Sequence, residues 1–205
     1  MIAIVDYGMG NLLSVNNAFE MLGARAHICS DPEQLRDADR IILPGVGAFR
    51  DCISNLTKRG FVKALNEEVL QRGKPVLGIC LGMQVMARTS VEGGLHQGLG
   101  WFDAEVVRLR PSDPSLRVPH IGWNETAWRS DSPFFLRLPR RADFYFVHSY
   151  YMKCKFETDV EATCDHGGMI TAAVRKNNIF ATQFHPEKSQ DLGLRVLENF
   201  LSWVP

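Results

Sequence analysis

Gly78-Ile79-Cys80-Leu81-Gly82 sets a cysteine between two glycines, where the apolar run Pro75 to Ile79 gives way to the helix-compatible Met83 to Met86. This is the cysteine counterpart of the Gly-x-Ser-x-Gly nucleophile elbow. A nucleophile on a sharp strand-to-helix turn occupies strained backbone, and side chains two residues to either side would collide, so glycine is expected at both places. The helix start that follows offers free N–H groups and a positive dipole end, which favour a thiolate and can stabilise an oxyanion. A buried cysteine in a glycine-rich turn would leave the same five letters, so the motif needs a partner. Phe184-His185-Pro186-Glu187 supplies one. In extended chain residues two apart face the same way, so His185 and Glu187 can lie on one side while Pro186 stiffens the link. Together they suit a Cys-His-Glu triad, in which Cys80 is the nucleophile, His185 accepts the thiol proton and returns it to the leaving group, and Glu187 holds the imidazole tautomer.

The elements that must position these residues read as alternating strands and helices. Ile2 to Asp6 is a short buried strand, Gly8 to Asn11 a turn, and Leu12, Val15, Phe19 and Leu22 mark a helix stopped by Gly23. A strand over Ala26 to Cys29 precedes Asp31-Pro32, a helix cap followed by proline at the first helical position. Arg40 to Leu43 is the third strand and ends in Pro44-Gly45-Val46-Gly47. A helix from about Ile53 to Gln71 then leads to the fourth strand, which runs into Cys80. This alternation predicts an α/β fold with a mostly parallel central sheet flanked by helices and function gathered at the strands' carboxyl ends. The second half reads as a smaller antiparallel region. Its strands are expected over Ala104 to Leu109, Asp143 to Tyr151, and a hairpin of Ile170 to Lys176 with Ile179 to Phe184 across Asn177-Asn178. A closing amphipathic helix begins near Asp191, and Arg129 to Ala142 reads as a surface excursion.

The 205 residues are 45% hydrophobic and 22% charged, the balance of a folded globular chain read here as one domain over 1–205. Lysine plus arginine number 23 and aspartate plus glutamate 23, so no global field draws the chain to nucleic acid or an anionic membrane. No apolar run approaches the roughly 20 residues of a membrane span, which points to the cytoplasm. Five scattered cysteines without a Cys-x-x-Cys pair indicate neither a disulfide framework nor a zinc site, and no metal or other cofactor is expected.

The elbow, read as Gly78 to Gln84, and the closing motif Gln183 to Glu187 resemble those of the class I (triad) glutamine amidotransferases. Within that family, Asp6-Tyr7-Gly8-Met9-Gly10-Asn11, Pro44-Gly45-Val46-Gly47, Pro119 to Glu125 and Phe146-Val147-His148-Ser149-Tyr150 look like the glutaminase subunits of imidazole glycerol phosphate synthases. The resemblance implies hydrolysis of L-glutamine by Cys80, His185 and Glu187, with ammonia passed to a (β/α)8 cyclase subunit. It implies backbone oxyanion donors at Val46 and Leu81, and glutamine contacts from Gly47, Gln84, Glu92, Ser149 and Tyr150. It places the face toward the cyclase at Met9, Asn11, Asn124, Tyr145 and Lys188. Glutaminases serving other synthases share the triad but not the Asp6 to Asn11 and Pro119 to Glu125 segments together, and a silent binding module has no use for an intact triad.

Overall fold

Strand β1 (Ile2–Val5) consists of four buried apolar residues, a composition that fits only a strand covered on both faces. The computed structural model, which describes residues Met1–Pro205, places it inside a sheet. Helix α1 (Leu12–Met21) buries Val15, Ala18 and Phe19, and Gly23 at φ +69° reverses the chain into β2 (Ala26–Cys29). Asp31 caps the next turn through a 3.0 Å bond from Glu33 N–H, and that turn, Pro32–Asp37, is a 3-10 helix. Strand β3 (Arg40–Gly45) runs two residues further than expected, through Pro44 and Gly45.

The single helix expected from Ile53 to Gln71 is three pieces: α2 (Phe49–Lys58), α3 (Phe61–Leu65) and a π-helical turn over Asn66–Gln71. Gly60 is the cause of the first break, because its φ of +78° is left-handed backbone that ends α2 and re-aims the chain so that Phe61 and Leu65 enter the core. The chain then passes into β4 (Val76–Cys80) and the four-residue α4 (Leu81–Gln84).

The remaining strands are β5 (Ala87–Ser90), β6 (His96–Gln97), β7 (Phe102–Arg108), β8 (His120–Trp128), β9 (Arg141–His148), β10 (Tyr150–Cys154), β11 (Val160–Asp165), β12 (Met169–Lys176) and β13 (Ile179–Thr182), before the closing helix α5 (Gln190–Ser202). Nine of the strands form one sheet in the order β2-β1-β3-β4-β13-β12-β11-β8-β9. From β2 to β13 the pairings are parallel, and from β13 to β9 they are antiparallel, so the antiparallel region is as large as the parallel one and continues the same sheet. The second sheet holds β10, β7, β5 and β6. The stretch expected as one strand from Asp143 to Tyr151 switches sheets at Ser149, with β9 in the large sheet and β10 in the small one.

Apolar side chains fill both faces of the large sheet. One core gathers Val5, Leu43, Phe49, Phe61 and Met86, the other Ile4, Phe19, Phe144, Phe180 and Phe200. The segment Arg129 to Ala142 is a surface excursion only in part, with Ser130, Asp131, Leu136, Arg137 and Pro139 to Arg141 exposed. Its 3-10 turn Pro133–Phe135 buries Phe134 and Phe135, and Phe134 stacks on Phe180 with ring centroids 3.6 Å apart. Burying one such ring stabilises the fold by roughly 2–3 kcal/mol, which is why two adjacent phenylalanines pull an otherwise polar loop inward. No helix is long and apolar enough to cross a membrane.

Candidate active site

Three parallel strands bring the chemistry together by register. Gly45 of β3 lies opposite Cys80 of β4, and Thr182 of β13 lies opposite Ile79 on the other side. The residues that leave β3 (Val46, Gly47), β4 (Cys80, Leu81) and β13 (Gln183 to His185) therefore emerge side by side at one end of the sheet.

Cys80 sits at φ +55°, ψ −109°, backbone that a non-glycine residue adopts only when its surroundings force it. The two flanking glycines are what permit the turn. A Cβ on Gly82 would stand 1.8 Å from Leu43 O, and one on Gly78 would stand 2.7 Å from Met86 Cε and 3.0 Å from Gly82 O. Leu81 opens α4 immediately after the cysteine, so its N–H is one of the unpaired donors of a helix start.

His185 Nδ1 is 2.7 Å from Glu187 Oε1, with both side chains almost wholly buried. The other ring nitrogen, Nε2, is buried without a hydrogen-bond partner and faces the Cys80 side. Burial works against the imidazolium, but the nearby Cys80 sulfur and the Glu187 carboxylate bonded to Nδ1 outweigh it and push the His185 pKa up to about 9. The sulfur is also approached by Gln183 Nε2, which donates to it at 3.7 Å, and by the Val147 carbonyl at 3.9 Å.

A cleft of about 440 Å³ opens over the thiol, and Val46, Gly47, Cys80, Leu81, Gln84 and Glu92 line it. His148, Ser149, Tyr150, His185 and Lys188 line it as well. All of the residues expected to hold substrate are thus gathered in one place. Two of them also do internal work. Glu92 Oε2 accepts from Phe49 N–H at 2.8 Å, capping α2, and Gln84 Nε2 donates to Tyr150 O at 2.8 Å and to Gln183 Oε1 at 3.0 Å.

Of the residues expected to face a partner, Tyr145 lies between the Trp123 ring, 6.1 Å away, and the Lys188 ammonium, 6.0 Å from its centroid. Ile121 and Trp123 on β8 expose about half or more of their surface beside them. Met9 packs against Gly47, which has φ +100°, and Asn11 is exposed at the start of α1. Asn124 points its amide nitrogen into the chain, toward Asp165 O at 2.8 Å and His120 Nε2 at 3.1 Å.

Several residues that shape the site were not singled out by motif reasoning. Ser189 Oγ donates to His185 O at 2.6 Å and accepts from Tyr145 N–H at 3.0 Å, tying the loop that carries His185 to β9. Tyr7 Oη donates to Pro44 O at 2.8 Å, bracing the segment beside the elbow. Gln183 is part of the closing motif, but its place against the sulfur is visible only once β13 is laid beside β4.

The family model for glutamine amidotransferase class-I matches residues 3–203. The chain is 49% identical over 201 residues to imidazole glycerol phosphate synthase subunit HisH 1 of Campylobacter jejuni (strain RM1221), covering 98% of this chain and 99% of that one. It is 48% identical over 208 residues to the HisH subunit of Zymomonas mobilis, covering 100% of this chain and 96% of that one. Among solved structures, a glutamine amidotransferase superposes with TM-score 0.76 at 19% identity over 98% of both chains. PurLQS from Thermotoga maritima gives TM-score 0.76 at 19% identity over 98% of this chain and 97% of that one. At that identity the two structures speak for the fold.

Proposed function

The chain belongs to the class-I glutamine amidotransferases, and from that premise we propose that Cys80, His185 and Glu187 release ammonia from glutamine in the cleft between β3, β4 and β13. It is the glutaminase subunit of an imidazole glycerol phosphate synthase, with a cyclase subunit as partner, and it serves histidine biosynthesis. The observation that carries the assignment of residues is the His185–Glu187 pair buried behind the strained Cys80, with the uncommitted Nε2 on the sulfur's side.

The reaction follows from that arrangement. His185 Nε2 takes the thiol proton, and Cys80 Sγ adds to the side-chain carboxamide carbon of glutamine. The N–H groups of Val46 and Leu81 receive the developing oxyanion. As the tetrahedral adduct collapses to a thioester, His185 returns the proton to the departing nitrogen, which leaves as ammonia. A water molecule, deprotonated by the same nitrogen, then opens the thioester to glutamate and restores the thiol. Glu187 keeps the Nδ1–H tautomer and balances the imidazolium throughout. Gly47, Gln84, Glu92, Ser149 and Tyr150 hold the amino-acid end of the substrate, whose ammonium and carboxylate need acceptors and donors respectively.

The whole chain, 1–205, acts as one glutaminase domain in the cytoplasm. Its partner, a (β/α)8 cyclase, docks on the apolar surface of Ile121, Trp123 and Tyr145 with Lys188, Met9, Asn11 and Asn124 around it. Such a half-exposed aromatic cluster beside a cation is the composition of an interface centre. Glutamate release by the subunit alone and with a candidate cyclase tests the pairing. Acceleration by the cyclase is expected, and full activity without it would count against this docking as the control point.

A further inference from the structure

His120 and His148 lie outside the triad, yet a continuous run of hydrogen bonds joins them to the sulfur. Asn124 Nδ2 is 3.1 Å from His120 Nε2, His120 Nδ1 is 2.9 Å from His148 Nε2, and His148 Nδ1 is 2.9 Å from Tyr150 O. The same Tyr150 carbonyl accepts from Gln84 Nε2, whose second hydrogen goes to Gln183 Oε1, and Gln183 Nε2 reaches Cys80 Sγ.

Donor and acceptor accounting fixes every proton in this run. Asp165 O can only accept, so the Asn124 nitrogen that is 2.8 Å away is a donor, and His120 Nε2 must be an acceptor. His120 Nδ1 then carries hydrogen and His148 Nε2 accepts it, which leaves His148 Nδ1–H to donate to Tyr150 O. The far end gives the same answer independently, because Tyr150 O is also an acceptor only. Both rings are therefore neutral Nδ1–H tautomers. Burial accords with this: desolvation, with the neighbouring histidines adding to it, pulls His120 down to about 3, and desolvation pulls His148 down to about 4. His120 is further held between Phe146, with ring centroids 4.8 Å apart, and His166, at 4.0 Å.

We propose that His120 and His148 are positioning residues that fix the Tyr150 carbonyl and, through it, the Gln84 carboxamide, so that Gln84 Oε1 is the atom presented to the ammonium group of glutamine. With both Gln84 hydrogens held by Tyr150 O and Gln183 Oε1, Oε1 is the only amide atom of Gln84 free to meet a ligand in the cleft. A change of either ring to the Nε2–H tautomer would put two lone pairs face to face somewhere along the run and release the Tyr150 peptide. This inference rests on the reading of Gln84 as a substrate contact.

The test uses the chain assembled with its cyclase partner and L-glutamine as the probe. His120→Phe keeps the stacked ring and removes both nitrogens. It should raise KM for glutamine about tenfold, the effect of losing one anchoring hydrogen bond, with kcat within about twofold and ammonium-driven synthesis unchanged. A role as a mere staple between β8 and β9 would lower the melting temperature and leave KM alone, and an unchanged KM overturns the proposal. His148→Asn places an amide N–H near the position of Nδ1 and should raise KM less than His148→Leu does. Should His120→Phe fail to assemble, this pair decides, and equal KM values for the two variants overturn the relay. NMR of the wild-type assembly with labelled histidine, at about neutral pH, reads the tautomers directly: two neutral Nδ1–H rings are expected, and an Nε2–H or protonated ring at either position overturns it. Gln84→Ala separates the two levels, since an unchanged KM there removes the underlying reading of Gln84 whatever the histidines do.

Discussion

His185 Nδ1 and Glu187 Oε1 meet at 2.7 Å although only Pro186 separates them in the chain, and neither side chain is open to solvent. A buried carboxylate held against one ring nitrogen leaves the other as the single site of proton exchange, and that site lies toward Cys80. Glu187→Gln removes the charge but keeps the shape, so it should lower kcat on the order of a hundredfold or more with KM for glutamine little changed, while retaining measurable turnover. His185→Ala should be nearly silent. Steady-state glutamate release by the assembled enzyme checks both.

The raised pKa of His185 carries a definite sign. An imidazole in an unfolded chain titrates near 6.5, whereas folded His185 titrates at about 9. Its protonated form therefore stabilises the folded protein fully below about 6.5, and this contribution fades as pH rises through about 9. Cys80→Ala removes one of the two partners that raise the value. Histidine NMR titration should then find the His185 midpoint well below that of the wild type, and an unshifted midpoint would contradict the contact between sulfur and ring.

The other histidine pair has the opposite sign. His120 and His148 are held near 3 and 4, so the unfolded chain binds their protons first and stability falls as pH drops below about 6.5. With both rings neutral in the fold, the slope should approach about 2.7 kcal/mol per pH unit between about 6 and 5. His120→Phe should reduce that slope by roughly half, measured by denaturant unfolding across the same window.

Alkylation should single out one thiol. Burial pushes Cys29 up to about 11 and Cys52, Cys154 and Cys164 up to about 12, so all four stay protonated and slow at neutral pH. Cys80 instead opens on the cleft. Peptide mapping after limited iodoacetamide treatment should find Cys80 modified first, with loss of glutamine-dependent activity in step.

The elbow glycines should differ in sensitivity. The Cβ of Gly82→Ala would meet backbone at 1.8 Å, which nothing short of moving β3 relieves, while Gly78→Ala meets first the flexible end of Met86 at 2.7 Å. Gly82→Ala is expected to cost more than about 3 kcal/mol and Gly78→Ala about 1–2 kcal/mol, compared by denaturant unfolding.

Much of this site was readable from the letters because strands β1 to β4 are short apolar runs separated by clear turn signals, and because the elbow and His185-x-Glu187 each keep their chemistry within a few residues. What escaped depends on distant pairing. β8 and β11 lack a continuous apolar run, because polar residues such as Asn124, Glu125, Glu161 and Thr163 interrupt them, and β5 is a four-residue strand next to α4. Phe134 and Phe135 read as loop residues until Phe180 is placed against them. His120 and His148 are 28 positions apart, and only the register that sets one opposite the other across β8 and β9 joins them.

Cys80 is assigned to making ammonia and to nothing else in the synthase. Cys80→Ala, assembled with the cyclase subunit, should be assayed for synthesis from L-glutamine and, in parallel, from ammonium salt. Glutamine-dependent synthesis is predicted to vanish while ammonium-dependent synthesis stays at the wild-type rate. Equal loss of both, or retention of glutamine-dependent synthesis, would contradict the assignment.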